Sequence, residues 1–520
     1  MSTTINQKGI IVSETIITLG QELDLNDFVA VARFGASVAF SDDYCQRVER
    51  ARKLVEKWVA EARPMYGITT GFGAMCTQAI SGPETALLQK NIILSHAVSV
   101  GEPFTREEAR ATLLMVLQNL GQGYSGVRLD ILERCRDFLN LDLTPWMPRE
   151  GSVGYLGPEA HMVMSLTGEG RVYYQGRLME AAEALGLAGL KPLELSAKEG
   201  LALISGTTST AALGALALYD FIQAAKSADV IAALNLEILR GLLRAFDERV
   251  MSVRPHQEQA GTAENVRRIL ADSEVHDKHK NERLQDALSL RSIPQLHGAV
   301  RKTFNDALKT IETEINSCCD NPIIWPDENE PDVISACNAD SSYVGLAMDT
   351  AAIAATMLAK MSERRNNRLV DGTLSGYPFF LVRNPGLNSG LMIPQYTQAG
   401  LLNDMRVLST SSCIDNTSTC AMQEDYVAMG YNAAKKARAV AEKLEYILAI
   451  ELLSVFAAQS FMDENLKRGR GGRKVLAEIS QNIPTLENDI FLFPHINYLR
   501  ELIHSGRLLE LVEEEIGPLK

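Results

Sequence analysis

Four stretches constrain the fold of this 520-residue chain more than anything else: Ala197 to Phe246, Gln285 to Cys319, Tyr343 to Arg368 and Ala421 to Phe461. Each is rich in alanine and leucine and poor in proline, so little opposes a continuous helical hydrogen-bond ladder. Lengths of this kind predict a bundle of extended helices, not a parallel sheet built from short alternating strands and helices. The expected class is mainly α. Irregular connections near 320–342 and 369–403 interrupt the bundle, and loops held on a rigid scaffold are where chemistry is usually placed.

Three regions follow from this pattern. Residues 1–196 form an N-terminal region rich in loops, 197–462 the central long-helix bundle, and 463–520 a C-terminal helical cap. Within the first, a strand-like piece from Gly9 to Leu19 precedes a helix from Asp43 to Ala62, where apolar positions recur at helical spacing. Helical pattern returns from Pro83 to Leu139, broken at Gly121-Gln122-Gly123, and again from about 159 to 186.

Composition excludes several partners. A net charge of -14, spread along the chain, argues against nucleic acid or an anionic membrane surface. The most apolar run, Tyr446 to Met462, contains Glu451 and is short for a membrane span. The N-terminus shows no basic segment followed by an apolar core, and the eight cysteines lack paired metal-ligand spacing. A reducing cytoplasm without a bound metal is the expectation. Adjacent Cys318 and Cys319 read as packing, and the basic run Lys467 to Lys474 as a solvated surface loop without phosphate-binding spacing.

Two glycine-punctuated loops carry the chemistry. One is Tyr66-Gly-Ile-Thr-Thr-Gly-Phe-Gly73; the other is Gly151-Ser-Val-Gly-Tyr-Leu-Gly-Pro-Glu-Ala-His161. Their glycines remove side-chain bulk and allow unusual backbone angles. Further motifs follow in order: Ser95-His-Ala97, Gly123-Tyr-Ser-Gly-Val-Arg128, Gln285-Asp-Ala-Leu-Ser-Leu-Arg291, Asp320-Asn-Pro322, Ser362-Glu-Arg-Arg365, Pro385-Gly-Leu-Asn-Ser-Gly390 and Gln423-Glu-Asp-Tyr426.

In these motifs and their order the chain resembles the histidine/phenylalanine/tyrosine ammonia-lyase family. The resemblance implies the long-helix bundle of the ammonia-lyase/fumarase-like type and a homotetramer whose active sites are shared between subunits. It also implies roles. Tyr66 matches the family's catalytic base, and a phenol acting near neutrality needs a depressed pKa from nearby cations or a coupled hydrogen bond. Arg291 matches the arginine that grips the substrate carboxylate, a task suited to a planar guanidinium. His96 and Glu424 match the aryl side of the pocket, where they would suit a ring bearing N–H donors such as imidazole. Met392 matches a pocket wall, and His161 caps or packs its helix.

The departures from the family are concentrated at one place. The family writes Gly-Ser-Val-Gly-Ala-Ser-Gly-Asp-Leu-Ala-Pro, and its Ala-Ser-Gly cyclises to an electrophilic methylidene-imidazolone. Here Gly154 is followed directly by Tyr155. Ser205 stands where the family has an asparagine on that group, Leu288 replaces a tyrosine, and Val116 and Gln118 replace an arginine and an asparagine. Ala336-Cys-Asn338-Ala339-Asp340 takes the place of Gly-Gly-Asn-Phe-His.

A quaternary ammonium substrate needs no electrophile, because its nitrogen leaves as a neutral amine. These departures therefore lead to an expectation of a carbon–nitrogen lyase without a cofactor, similar to the ergothionase branch. It would release trimethylamine from an imidazole-type betaine such as ergothioneine. Tyr155, Glu159 or Asp340 would face the cation, and Ser205 and Asn338 would complete the substrate site. The alternatives are a conventional histidine ammonia-lyase or aminomutase carrying the electrophile, and a non-catalytic homologue acting in binding or assembly.

Overall fold

The computed structural model describes residues 3–5, 11–13, 15–81 and 84–520. It is mainly helical, as expected, and its sheets among the described residues have only two or three strands each. The chain divides into two compact units assembled from separate stretches: 1–219 with 307–349 and 411–435, and 220–306 with 350–410 and 436–520. These units do not follow the boundaries of the three sequence regions 1–196, 197–462 and 463–520. A long helix can leave one compact body and enter another without a break in pattern, so periodicity carried no signal of the division.

In the first unit, the helix Asp42–Ala60 starts at Ser41, whose hydroxyl accepts the Tyr44 N–H. Its inward positions Tyr44, Val48, Ala51, Val55 and Trp58 recur at three- and four-residue spacing and are buried. Ala51, Val55 and Trp58 pack with Met65, Ile68, Ala197 and Ile324. At about 1.5–3 kcal/mol per fully buried large apolar side chain, this cluster anchors the Tyr66 loop between its two buried neighbours. The helix Arg106–Gly121 opens on a reciprocal capping box between Thr105 and Glu108. A shorter helix, Leu25–Ala32, lies upstream of the first helix expected from the sequence.

Several expected stretches are divided more finely. Ala197 to Phe246 becomes Glu199–Ile204, Thr208–Ile238 and a short turn at Leu243–Phe246, broken at Ser205-Gly206-Thr207, where Gly206 takes a positive φ of 117°. Residues 159–186 hold the helices Glu159–Leu166 and Ala181–Leu187 with a hairpin, Arg171–Tyr174 and Arg177–Glu180, between them. The stretch from 369 is irregular only to Leu391, after which Met392–Leu408 is helical. The last long helix starts at Gly430 rather than Ala421. The strand-like piece from Gly9 to Leu19 lies partly outside the described residues; Ile16–Leu19 pairs in parallel with Ser37–Phe40.

The second unit holds an ionic network sealed from water. Asp229 accepts from His297, Arg301 and Asn265 at 2.7–2.9 Å. Glu451 accepts from Arg365, Asn235 and Ser362 at 2.6–2.9 Å. The Ser362–Arg365 motif is therefore a core element. The basic run at 467–474 is also more than a solvated loop. Gly471 and Gly472 are buried, the Gly469 N–H donates to Glu237 at 2.7 Å, and the Arg470 N–H donates to the Ala271 carbonyl at 2.8 Å.

Three helical spans, Glu199–Ile238, Ser342–Val370 and Gly430–Phe461, are long and apolar enough to cross a membrane by length and composition. The most apolar window of the first is wholly buried within the protein. Burial in a bundle core gives these helices their apolar character.

Candidate active site

The Tyr66 loop is a tight knot. The Met65 carbonyl accepts the N–H groups of Ile68, Thr69 and Thr70, each at 3.1 Å, and the Thr69 hydroxyl donates to the Arg63 carbonyl at 2.6 Å. Gly67 has φ +63°, and a Cβ there would collide with Leu201. Gly73 has φ +56°, and a Cβ there would collide with the Cys420 sulfur. Only glycine satisfies both constraints. The loop closes when the Gly73 N–H donates to the Tyr66 phenol oxygen at 2.9 Å.

Near that phenol the first unit brings Cys420 and Glu424, and His96 feels the same carboxylate. Glu424 stands in an irregular turn, bridged antiparallel to Thr419, whose hydroxyl donates to its carboxylate at 2.6 Å. His96 ends the helix Thr85–His96, with Ser95 Oγ 3.0 Å from its Nδ1 and the Phe72 ring edge-on at 6.0 Å. Glu424 also raises the Tyr155 phenol, after burial. Tyr66, His96 and Glu424 are thus brought together.

The electrostatics differ from the expectation for a base. Burial pushes the Tyr66 phenol above its ordinary value, the Gly73 N–H partly offsets this, and Cys420, Glu424 and Cys76 raise it further. The expected depression by nearby cations is not found; thiols and a carboxylate surround the phenol within this unit. Burial also lowers His96, against the opposing effects of the Ile92 backbone and Glu424. Tyr155 is raised by burial first and then by Glu424.

The altered loop is held by specific bonds. The Met429 N–H donates to the Val153 carbonyl at 2.9 Å, and the Thr210 hydroxyl donates to the Gly154 carbonyl at 3.2 Å. A Cβ on Gly154 would collide with Ser341 Oγ. No Ala-Ser-Gly occurs anywhere in the chain, and Gly154 is bonded to Tyr155. The residues present do not fit the family's electrophile: nothing here can cyclise to it.

Other expected residues serve the frame. Glu159 is 1% exposed, and its Oε1 accepts the Thr208 hydroxyl and the Ser209 N–H, both at 2.8 Å, at the N-terminus of Thr208–Ile238. Through Oε1 it holds the start of a helix, where a carboxylate is favoured, while its buried Oε2 has no hydrogen-bond partner among the described residues. Ser205 is buried, and its Oγ accepts the Asn321 N–H at 3.3 Å. Asp340 accepts the Ser342 N–H at 2.9 Å, and exposed Asn338 donates to the Cys318 carbonyl at 3.4 Å. His161 packs edge-on to Trp146 at 6.3 Å.

Arg128 is structural too, gripping buried Glu199 through two nitrogens at 2.7 and 2.8 Å. Buried Lys198 pairs with Asp320 at 2.7 Å, which accounts for the Asp320 motif.

Sequence reasoning missed Glu314. It bonds the Thr207 hydroxyl beside the loop, and its carboxyl is raised by burial, with Asp340 adding to the effect. The available signal was a carboxylate beside Ile311 and Ile315, both buried, on one helix.

Arg291 and Met392 belong to the second unit. Arg291 ends the short helix Leu288–Arg291 and donates to the Asp286 carbonyl at 3.1 Å. With the Gln285 amide turned so that its oxygen faces the guanidinium, three further contacts of 2.8–3.1 Å form. Both partners are neutral, and Arg291 makes no ion pair among the described residues. An internal salt bridge therefore does not account for it. Met392 is half-buried at the start of its helix.

The family model for aromatic amino acid lyases matches residues 23–481. The histidine ammonia-lyase of Symbiobacterium thermophilum is 43% identical over 97% of this chain and 99% of its own. Among solved structures, the Trypanosoma cruzi histidine ammonia-lyase superposes with TM-score 0.90 at 34% identity, covering 96% of each chain. The ergothioneine-degrading ergothionase of Treponema denticola superposes with TM-score 0.87 at 28% identity, covering 95% of this chain and 99% of that one.

These findings correct the expectation of trimethylamine release: the relatives of greater identity are named histidine ammonia-lyase. The altered loop alone was too local a basis for choosing the leaving group. The chain belongs to the aromatic amino acid lyase family, and its chemistry is that of a carbon–nitrogen lyase.

Proposed function

We propose that this chain is an ammonia-lyase acting on L-histidine, releasing ammonia and the imidazole acrylate. The observation that carries this reading is the grouping of Tyr66, His96 and Glu424, a base beside an imidazole-compatible pocket end. The names of the relatives at 42–43% identity support it. Arg291, held by neutral carbonyls and lacking an anion, supports it independently as the carboxylate grip.

In this reading Arg291 binds the substrate carboxylate through charge-assisted bonds. His96 and Glu424 line the ring end, where an N–H donor finds an acceptor and a phenyl ring would leave polar groups unpaired. The Tyr66 phenolate takes the proton from the β-carbon. The resulting electron pair forms the Cα–Cβ double bond, and the Cα–N pair departs with nitrogen, which leaves as ammonia from the ammonium form. No step is routed through an internal electrophile. The reading also takes the chain as a homotetramer with Tyr66 and Arg291 meeting across copies; the strongly exposed Leu284, Leu387 and Tyr396 support such contacts.

A substrate panel tests it. Ammonia release is expected from L-histidine, with kcat/KM for L-phenylalanine and L-tyrosine at least about 100-fold below that for histidine. Equal rates on the three, or a preference for phenylalanine, would overturn the assignment of His96 and Glu424. The intact mass is expected to equal that of the sequence, without the water loss of cyclisation.

A further inference from the structure

The Glu424 carboxylate is presented by a turn that few side chains tolerate. Cys420, Ala421 and Met422 follow one another with φ of 50°, 52° and 71°, all left-handed and none of them glycine. Such a turn is costly for L-residues and persists only where its surroundings impose it. Here both ends impose it. The Thr419 N–H donates to the Glu424 carbonyl at 2.8 Å, and the Met422 N–H returns to the Thr419 carbonyl at 3.1 Å. Beyond Glu424, the Asn416 side chain donates to the Asp425 carbonyl at 3.1 Å and accepts the Val427 N–H at 2.9 Å. The tip is set against the base loop. The Cys420 sulfur occupies the space a Cβ on Gly73 would take, and the Gly73 N–H is the donor that holds the Tyr66 phenol at 2.9 Å.

One bond in this turn acts on the carboxylate itself and not on the backbone: the Thr419 hydroxyl donates to Oε2 of Glu424 at 2.6 Å. We propose that Thr419 is a specificity-determining positioning residue, whose hydroxyl commits one oxygen of Glu424 to the fold and turns the other toward the N–H of the substrate's ring. This role rests on the histidine reading above. A glutamate side chain has several rotatable bonds, and ordering it only when substrate arrives costs affinity. A charge-assisted bond from a neighbouring hydroxyl supplies that order beforehand. An imidazole N–H then meets an acceptor already in place, whereas a phenyl ring leaves a fixed carboxylate without a partner. Selectivity therefore falls when the hydroxyl is removed, even though Glu424 remains.

Two ligands without an amine isolate the ring. 3-(Imidazol-4-yl)propanoate and 3-phenylpropanoate share the side chain and carboxylate and cannot eliminate ammonia. Calorimetry would measure the binding of each to the wild type, Thr419→Val and Thr419→Ser. Valine keeps the β-branched shape and removes the hydroxyl; serine keeps the hydroxyl and removes the methyl. The wild type is expected to bind the imidazole ligand more tightly. Thr419→Val should weaken that ligand about 10-fold and leave the phenyl ligand within about twofold, while Thr419→Ser should stay within about threefold of the wild type for both. Equal weakening of both ligands by valine would show collapse of the turn and overturn the proposal. An unchanged ratio between the ligands, or a serine variant as impaired as the valine one, would overturn it too, with the histidine reading left standing. A wild type that binds both ligands alike and releases no ammonia from L-histidine would sink the histidine reading, and the role of Thr419 with it.

Discussion

At the scale of single residues, charge without a partner is more informative than motif membership. Arg128 and Arg365 lie in motifs as regular as that of Arg291, yet both are neutralised internally, by Glu199 and Glu451. Arg291 alone of the three is held by neutral oxygens. Arg291→Ala is therefore expected to raise KM for L-histidine about 10- to 100-fold with unchanged thermal stability, measured by steady-state kinetics and melting. Arg291→Lys should recover only part, because a point charge replaces a planar fork.

Tyr66 gives a pH prediction with a definite sign. Its phenol is raised above a reference near 10, so the reactive phenolate is scarce at neutrality and grows with pH. For the enzyme, kcat/KM should therefore rise about tenfold per pH unit from pH 7 to pH 8.5, and a bell centred near pH 7 would contradict a phenol raised above its ordinary value. Tyr66, Arg291, His96 and Glu424 were legible as motif positions, whereas the state of Tyr66 was not. A pKa depends on what packs around the phenol, and the Cys420 and Glu424 turn is distant in sequence.

At the scale of elements, the helices were legible and their interruptions were not. Alanine- and leucine-rich periodicity located the long helices, but the break at Ser205-Gly206-Thr207 falls inside a run whose apolar pattern continues on both sides. The break matters because it exposes a helix N-terminus to the altered loop, and Glu159 meets it there. Sequence position suggested a substrate anion; the bonds to Thr208 and Ser209 make it a helix cap across chain segments. Glu159→Ala leaves a buried N–H and a hydroxyl without their acceptor and should cost about 1–3 kcal/mol in urea unfolding. Glu159→Gln keeps an acceptor oxygen and should recover most of that loss. If alanine and glutamine behave alike, the capping account of Glu159 is wrong.

At the scale of the whole molecule, stability depends on buried charge in the second unit. Removing one partner of a sealed pair strands the other, so Glu451→Ala should destabilise by about 3–5 kcal/mol, beyond the effect of any single surface ion pair. Burial lowers His297 even though Asp229 opposes it, and the neutral ring fits the balance because Arg301 already neutralises Asp229. A histidine depressed in the folded state binds its proton more readily once unfolded. Stability from His297 is therefore present above the unfolded value of about 6.5 and is lost as pH falls below it, which unfolding at pH 7.5 and pH 5.5 would measure. A His297→Gln variant should show a smaller difference between those two pH values.

The central claim, a histidine-directed carbon–nitrogen lyase with Tyr66 as base, has one direct measurement. Purified wild type and Tyr66→Phe would be incubated with L-histidine, and ammonia and the conjugated acrylate absorbance would be followed together. The account predicts equimolar ammonia and acrylate from the wild type, and at least about a 100-fold lower rate from the folded variant. No ammonia from the wild type, or undiminished release by Tyr66→Phe, would contradict it.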